Sequence, residues 1–255
     1  MRYDVATAIS IGQRDYQEDA VIADFNLGNE FGFAVLSDGM GGHAAGDIAS
    51  KIVVTEVYSE LKIQGGNIPA LERDIVEILR GVAEGANACI DAQVAENPEL
   101  RGMGATLVAP VLFGHRMYWI SIGDSPLYLF RQGKLRQINE DHSLAPQIDL
   151  MVKTGQMDAE TARNHPDRSA LTSVVMGGRI PLIDCKPTPV QLENEDVVVA
   201  ASDGIQYLEI EEINRLLEKT AARSSADIAR AFLDAIQALD HPDQDNVSMA
   251  VIKLK

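Results

Sequence analysis

The residues best suited to chemistry in this chain are aspartates at the ends of apolar runs. Phe33-Ala34-Val35-Leu36-Ser37-Asp38-Gly39, Trp119-Ile120-Ser121-Ile122-Gly123-Asp124-Ser125 and Val198-Val199-Ala200-Ala201-Ser202-Asp203-Gly204 each run into an Asp. Asp243-Gln244-Asp245-Asn246-Val247 reverses the order and places the carboxylate just before a run. A single Asp-Gly pair is most often a tight turn. Several carboxylates at strand ends ask for more, because a rigid sheet would hold them together while like charges repel. A divalent cation removes that cost. Oxygen donors alone favour magnesium, manganese or calcium over zinc, and no His or Cys cluster competes for the role.

The densest stretch is Asp38-Gly39-Met40-Gly41-Gly42-His43. Its glycines let the backbone turn sharply and approach a ligand closely, so a carbonyl here can join the Asp38 carboxylate as a metal ligand. Neither the Walker lysine pattern nor GxGxxG is present, which argues against a nucleotide-phosphate loop. Upstream lies Arg14-Asp15-Tyr16-Gln17-Glu18-Asp19. Arg14 offers a planar fork suited to two phosphate oxygens, and Glu18 and Asp19 add acceptors. In isolation this is a charged turn.

The elements that must carry these residues are short. Apolar patterning predicts strands over 5–10, 20–25, 31–37, 105–113, 117–122, 197–201 and 247–254, most of them apolar on both faces and hence covered on both sides. Helices are predicted over 44–61, over 70–96 with Gly81 and Gly85 weakening the middle, and over 226–239 with Ser225 as N-cap. In the last, Ile228, Phe232, Ala235, Ile236 and Leu239 share a face. The grouping is not a βαβ alternation, so a doubly wound sheet is disfavoured. Two packed sheets with helices outside them suit it better. Residues 142–170 form a polar insertion, with short helical pieces over 152–155 and 159–163, of the kind that often serves as a binding element.

The 255 residues fit one domain, and no repeat, low-complexity tract or linker divides them. The formal net charge is −16, with 22 Lys and Arg against 38 Asp and Glu. That opposes nucleic acid and anionic membrane surfaces as partners. Cys89 and Cys185 make neither a zinc motif nor a disulfide framework and read as free thiols. No run approaches the roughly 20 apolar residues of a membrane span, and the N-terminus lacks signal-peptide features. A cytoplasmic protein is the expectation.

Taken in series, Arg14-x-x-x-Glu18-Asp19, Asp38-Gly39-Met40-Gly41-Gly42-His43, Gly104-Ala105-Thr106, Gly123-Asp124-Ser125, Ser202-Asp203-Gly204 and Asp245-Asn246 resemble the metal-dependent Ser/Thr protein phosphatases of type 2C, the PPM family, in their compact bacterial form. The resemblance runs in the family's order from Arg14 to Asn246. It implies an α+β fold: a central β-sandwich of two mainly antiparallel sheets flanked by helices in four αββα layers. It also implies two divalent cations, Mn2+ or Mg2+, and hydrolysis of phosphoserine and phosphothreonine by attack of a metal-bridging hydroxide. By the same resemblance Asp38 bridges both metals, the Gly39 carbonyl binds one, Asp203 and Asp245 bind the other, and Glu18 reaches the site through water. Arg14 matches the arginine that grips substrate phosphate. Asp124, with Asp203, matches a third, weaker metal site, and residues 142–170 fall where the family carries its flap.

Two positions depart from the pattern. Pro126 follows Ser125 where many relatives carry Arg, and Met40 stands where eukaryotic members place a histidine assigned as general acid. Met40 cannot transfer a proton. His43, three residues on, is expected to be dispensable. The implied partners are phosphorylated proteins, with a cognate Ser/Thr kinase or its targets in the same circuit, acted on by a monomer. Three other readings compete. A pseudophosphatase binding module of the same fold would lack metal ligands, yet Asp38, Asp203 and Asp245 are present. Another two-metal phosphoester hydrolase is opposed by the motif order. A structural protein whose Asp-Gly pairs are turns leaves their recurrence at strand ends unexplained.

Overall fold

The computed structural model describes residues 3–25, 30–41 and 44–255, without the side chain of residue 44. His43 lies outside the described residues. The strands are β1 (Tyr3–Ser10), β2 (Asp19–Phe25), β3 (Phe31–Met40), β4 (Gly104–Ala105), β5 (Leu107–Phe113), β6 (Arg116–Ile122), β7 (Leu127–Arg131), β8 (Lys134–Gln137), β9 (Val190–Gln191), β10 (Val197–Ala201) and β11 (Val247–Leu254). The α-helices are α1 (Ala44–Gln64), α2 (Ile68–Arg73), α3 (Ile75–Glu96), α4 (Ala145–Lys153), α5 (Ala159–Arg163), α6 (Ile210–Thr220) and α7 (Ser225–Gln237).

Antiparallel pairing builds one sheet in the order β1-β11-β10-β7-β8 and a second in the order β2-β3-β5-β6-β9, with β4 beside β3. The period of two along each strand sorts its residues between two cores. In β3, Ala34 and Leu36 face the opposite sheet while Phe33 and Val35 face α1 and α3. In β10, Val198 and Ala200 face inward and Val197, Val199 and Ala201 face α6 and α7. Strands covered on both sides need apolar residues on both, hence the near-continuous runs in the sequence. The layers are helices, sheet, sheet, helices, the α+β sandwich that the resemblance implies.

Several boundaries differ from the sequence reading. The helix expected over 70–96 is two: Asn67 caps α2 through Ala70, and Asp74 leaves the helical region at φ −106°, ψ 18° before α3 begins. The Asp74 carboxylate is held by two bonds from Arg73. α3 then runs straight through Gly81 and Gly85. The strand expected over 105–113 breaks at Thr106, whose N–H and hydroxyl are both engaged by the Asp38 backbone. The first short piece of the 142–170 insertion lies earlier than expected, as α4, while α5 matches the second. The cap of α7 is Ser224, which accepts from the Asp227 N–H. Ser225 is buried instead, and its hydroxyl donates to the Asp4 carbonyl of β1 at 2.6 Å.

Two substitutions on this outer layer separate capping from packing. Ser224→Ala lowers stability by about 1 kcal/mol in a urea titration, and Ser224→Asp does not. Phe232→Ala, emptying a fully buried site beneath α7, costs about 3–5 kcal/mol. Losses of equal size would mean the cap assignment is wrong.

Candidate metal centre

Strand pairing alone gathers the aspartates. The C-terminal end of β3 lies against the start of β2, with Asp19 directly opposite Asp38. The end of β6, leading into Asp124, lies against the start of β5 through Leu107 and Ile122. In the other sheet the end of β10, leading into Asp203, pairs with the start of β11, which follows Asp245. The two ends meet across the sandwich: the Ser202 hydroxyl donates to the Asp19 carboxylate at 2.7 Å. Asp38 sits on the inward-facing series of β3, two residues beyond Leu36, so its head looks into the mouth between the sheets.

Four of these aspartates, Asp19, Asp38, Asp124 and Asp203, are shifted above the ordinary Asp range. Burial pushes Asp38 well above the ordinary Asp range, and the charges of Asp19, Asp203, Asp124 and Asp245 push the same way. Asp203 is raised by burial and by Asp245, with a hydrogen bond to Asp38 offsetting part of the effect. Asp124 rises to about 7 through burial, Asp203 and Asp141. Asp19 also rises to about 7, chiefly by burial, against the bond it accepts from Ser202. Glu18 is raised first by burial, and its Oε1 is buried with no hydrogen-bond partner.

Among the described residues no three His, Cys, Asp or Glu side chains close into a metal-holding group. The fit to a divalent cation rests on the donor chemistry, which is all oxygen, and on the unpartnered Glu18 Oε1. Arg14 does not stand free at this site: its Nη2 donates to Asp245 Oδ2 at 2.6 Å.

The backbone around the acids is fixed by short polar side chains. Thr106 donates its N–H to the Asp38 carbonyl at 2.8 Å and accepts the Asp38 N–H on its hydroxyl at 3.0 Å. Its hydroxyl also pairs with that of Ser125. Asn246 ties the 11–18 loop to β11: its amide nitrogen donates to the carbonyls of Ile11 and Tyr16, and its oxygen accepts from the Glu18 N–H at 2.7 Å. Gly39 must lack a side chain, since a Cβ there would stand 2.0 Å from the Gly46 carbonyl oxygen. Thr106, Asn246 and Ser202 lie inside the motifs, yet sequence reasoning gave them no role. Their signal was polarity beside a carboxylate in otherwise apolar strands. The Pro126 carbonyl accepts from the Ala201 N–H at 3.1 Å, tying the turn after Asp124 to the end of β10.

The raised carboxyls set a pH dependence. A carboxyl that is more basic folded than unfolded stabilises the fold while protonated, and that stability is lost as pH rises through its folded pKa. For Asp19 and Asp124 the loss falls between the ordinary Asp range and about 7. In chelator, the protein therefore melts at a higher temperature at about pH 5.5 than at about pH 8, and Asp124→Asn flattens the slope. A melting temperature that climbs over that interval would contradict the crowding described here.

The Protein phosphatase 2C family model matches residues 11–246. The chain is 32% identical over 240 residues to the serine/threonine protein phosphatase PstP of Mycobacterium tuberculosis, covering 93% of this chain and 42% of that protein. It thus spans less than half the length of that relative. It is 31% identical over 224 residues to the serine/threonine phosphatase Stp of Listeria monocytogenes, covering 86% and 83%. The crystal structure of the PstP catalytic domain in complex with two manganese ions is similar at a TM-score of 0.79, with 27% identity and 99% of each chain covered. With the sandwich, the motif order and the family match in agreement, this chain belongs to the protein phosphatase 2C family.

Proposed function

We propose that the chain is a single catalytic unit that hydrolyses phosphoserine and phosphothreonine in other proteins with two divalent cations, Mn2+ or Mg2+. The observation that carries this reading is the meeting of Asp38, Asp203 and Asp245 at one mouth of the sandwich, where burial first and neighbouring acidic charges second raise Asp38 and Asp203 above the ordinary Asp range. The manganese-bound relative supports the same choice of metal. When bound, the cations supply activation of water and neutralisation of phosphoryl charge.

The chain's own residues do the rest. Asp38, the Gly39 carbonyl, Asp203 and Asp245 would hold the cations, with Glu18 reaching them through water. Asp124, with Asp203, would hold a third and weaker ion, and the nearby Asp141 adds its charge there. Arg14 binds the phosphoryl group, and to do so it exchanges Asp245 for substrate oxygens. This exchange suits a guanidinium, whose paired donors fit phosphate as well as carboxylate. The flap, residues 142–170, is held together by Arg168, which donates to both Asp149 oxygens at 2.7 and 3.2 Å, and it presents the exposed Leu150 and Met151 of α4 to substrate. Partners are phosphorylated proteins in a circuit with a Ser/Thr kinase. The reading carries with it a cytoplasmic monomer; no helix among the described residues is long and apolar enough to cross a membrane.

Activity on a phosphothreonine peptide requires added Mn2+ or Mg2+. Asp38→Asn and Asp203→Asn each lose at least about a thousandfold in turnover, the several kcal/mol that a metal site supplies, while keeping the far-UV signal of the fold. Full turnover after exhaustive chelation would end the metal reading. Loss of the fold in both variants would assign the acids a structural role.

Shortening the flap reduces rates on phosphoproteins far more than on para-nitrophenyl phosphate, because it shapes the approach of a protein and not the chemistry. Equal loss on both substrates would show that the flap supports the metal site itself.

A further inference from the structure

His142 stands where the chain enters the flap, and it is almost fully buried. Its backbone N–H donates to the Gly123 carbonyl at 3.1 Å, and its ring Nδ1 accepts the Gly123 N–H at 3.3 Å. One residue thus satisfies both backbone groups of Gly123. On its other side the His142 carbonyl accepts two bonds from Thr172, where the chain leaves the flap: from the N–H at 2.7 Å and from the hydroxyl at 2.8 Å. The root is closed further by the bridge between Ser143 and Leu171.

Gly123 has little freedom of its own. Its φ is +102°, and a Cβ would meet the Thr106 Cγ2 at 2.6 Å. Thr106 is the residue that clasps the Asp38 backbone. The next residue after Gly123 is Asp124. A chain of direct contacts therefore runs from Thr172 through His142 and Gly123 to Thr106 and Asp38, with Asp124 attached at its centre. An accepting Nδ1 must be unprotonated, and burial pushes His142 below the ordinary His range, in keeping with that role.

We propose that His142 is a positioning residue that locks the Gly123–Asp124 turn to the root of the flap, so that flap order and the reach of Asp124 into the acidic site are set together. The inference rests on the metal-dependent reading above. It makes the flap more than a surface for substrate, since loosening its root also weakens the metal site.

Three variants test it. His142→Leu removes the ring acceptor. His142→Asn puts an oxygen close to the place of Nδ1. Thr172→Val removes one of the two donors on the flap side. Two readouts need no turnover: tryptic cleavage at the exposed flap residues Lys153 and Arg163, and calorimetric titration of chelator-treated protein with Mn2+. His142→Leu is expected to speed flap cleavage and to weaken Mn2+ binding about tenfold, the usual cost of losing an outer partner of a metal site. His142→Asn restores most of both, and Thr172→Val shifts both in the same direction by less. Faster cleavage with unchanged Mn2+ affinity would overturn the coupling, as would an Asn variant no better than Leu. If His142→Leu fails to fold, the Asn and Val variants decide, and wild-type Mn2+ affinity in a Thr172→Val protein with a loosened flap would overturn it. A wild-type protein that binds no Mn2+ and releases no phosphate removes the metal reading itself, and that result is visible before any variant is compared.

Discussion

Carboxylates confined at the mouth between two sheets repel one another, and their partial burial weakens the screening of that repulsion by water. Asp19, Asp38, Asp124, Asp203 and Asp245 are brought there by antiparallel pairing, which aligns the ends of β3, β6 and β10 with the starts of β2, β5 and β11. The fold bears this cost because the strands that carry the acids are among its most deeply buried, with apolar residues packed on both faces. A sandwich with a weaker core could not hold unpaired like charges so close. In this structure Arg14 relieves part of the repulsion by pairing with Asp245. Burial and the neighbouring charges raise Asp38 and Asp203 together.

Holding such groups in place requires that the backbone near them have no slack. Thr106, Asn246 and Ser202 serve this end with short side chains that bond to main chain or to a neighbouring carboxylate. Glycines serve it by letting chains touch. Gly39 abuts Gly46, and Gly204 abuts the Asn246 carbonyl, where a Cβ would stand 2.0 Å from the oxygen. Each rigid contact lowers the cost of gathering cations, because the ligands need not be ordered when the ions arrive. The flap enters the same framework through His142, which makes it continuous with the site.

The strand-end aspartates were legible because their signal is local: an apolar run, then a carboxylate, then often glycine. The sandwich was legible because strands covered on both faces are apolar on both. What the sequence hid was set by tertiary partners. β8 is Lys134-Leu135-Arg136-Gln137, a polar edge strand recognisable only from its pairing with β7. The turn before it does carry a signal, since Gln132 and Gly133 both take positive φ, as two-residue hairpin turns require. α6 likewise spaces Ile213, Leu217 and Thr220 on one buried face, a helical period hidden by its many charges. The split at Thr106 and the pairing of Arg14 with Asp245 had no local signal, because each depends on a residue dozens of positions or more away.

Crystals grown with Mn2+ and measured at the manganese absorption edge show whether these aspartates form one metal centre. Two anomalous peaks are expected at the mouth of the sandwich, both contacting Asp38, with Asp203 and Asp245 on one of them and the Gly39 carbonyl on the other. A protein saturated with Mn2+ whose peaks lie elsewhere, leaving Asp38 and Asp203 joined only to each other, would contradict it.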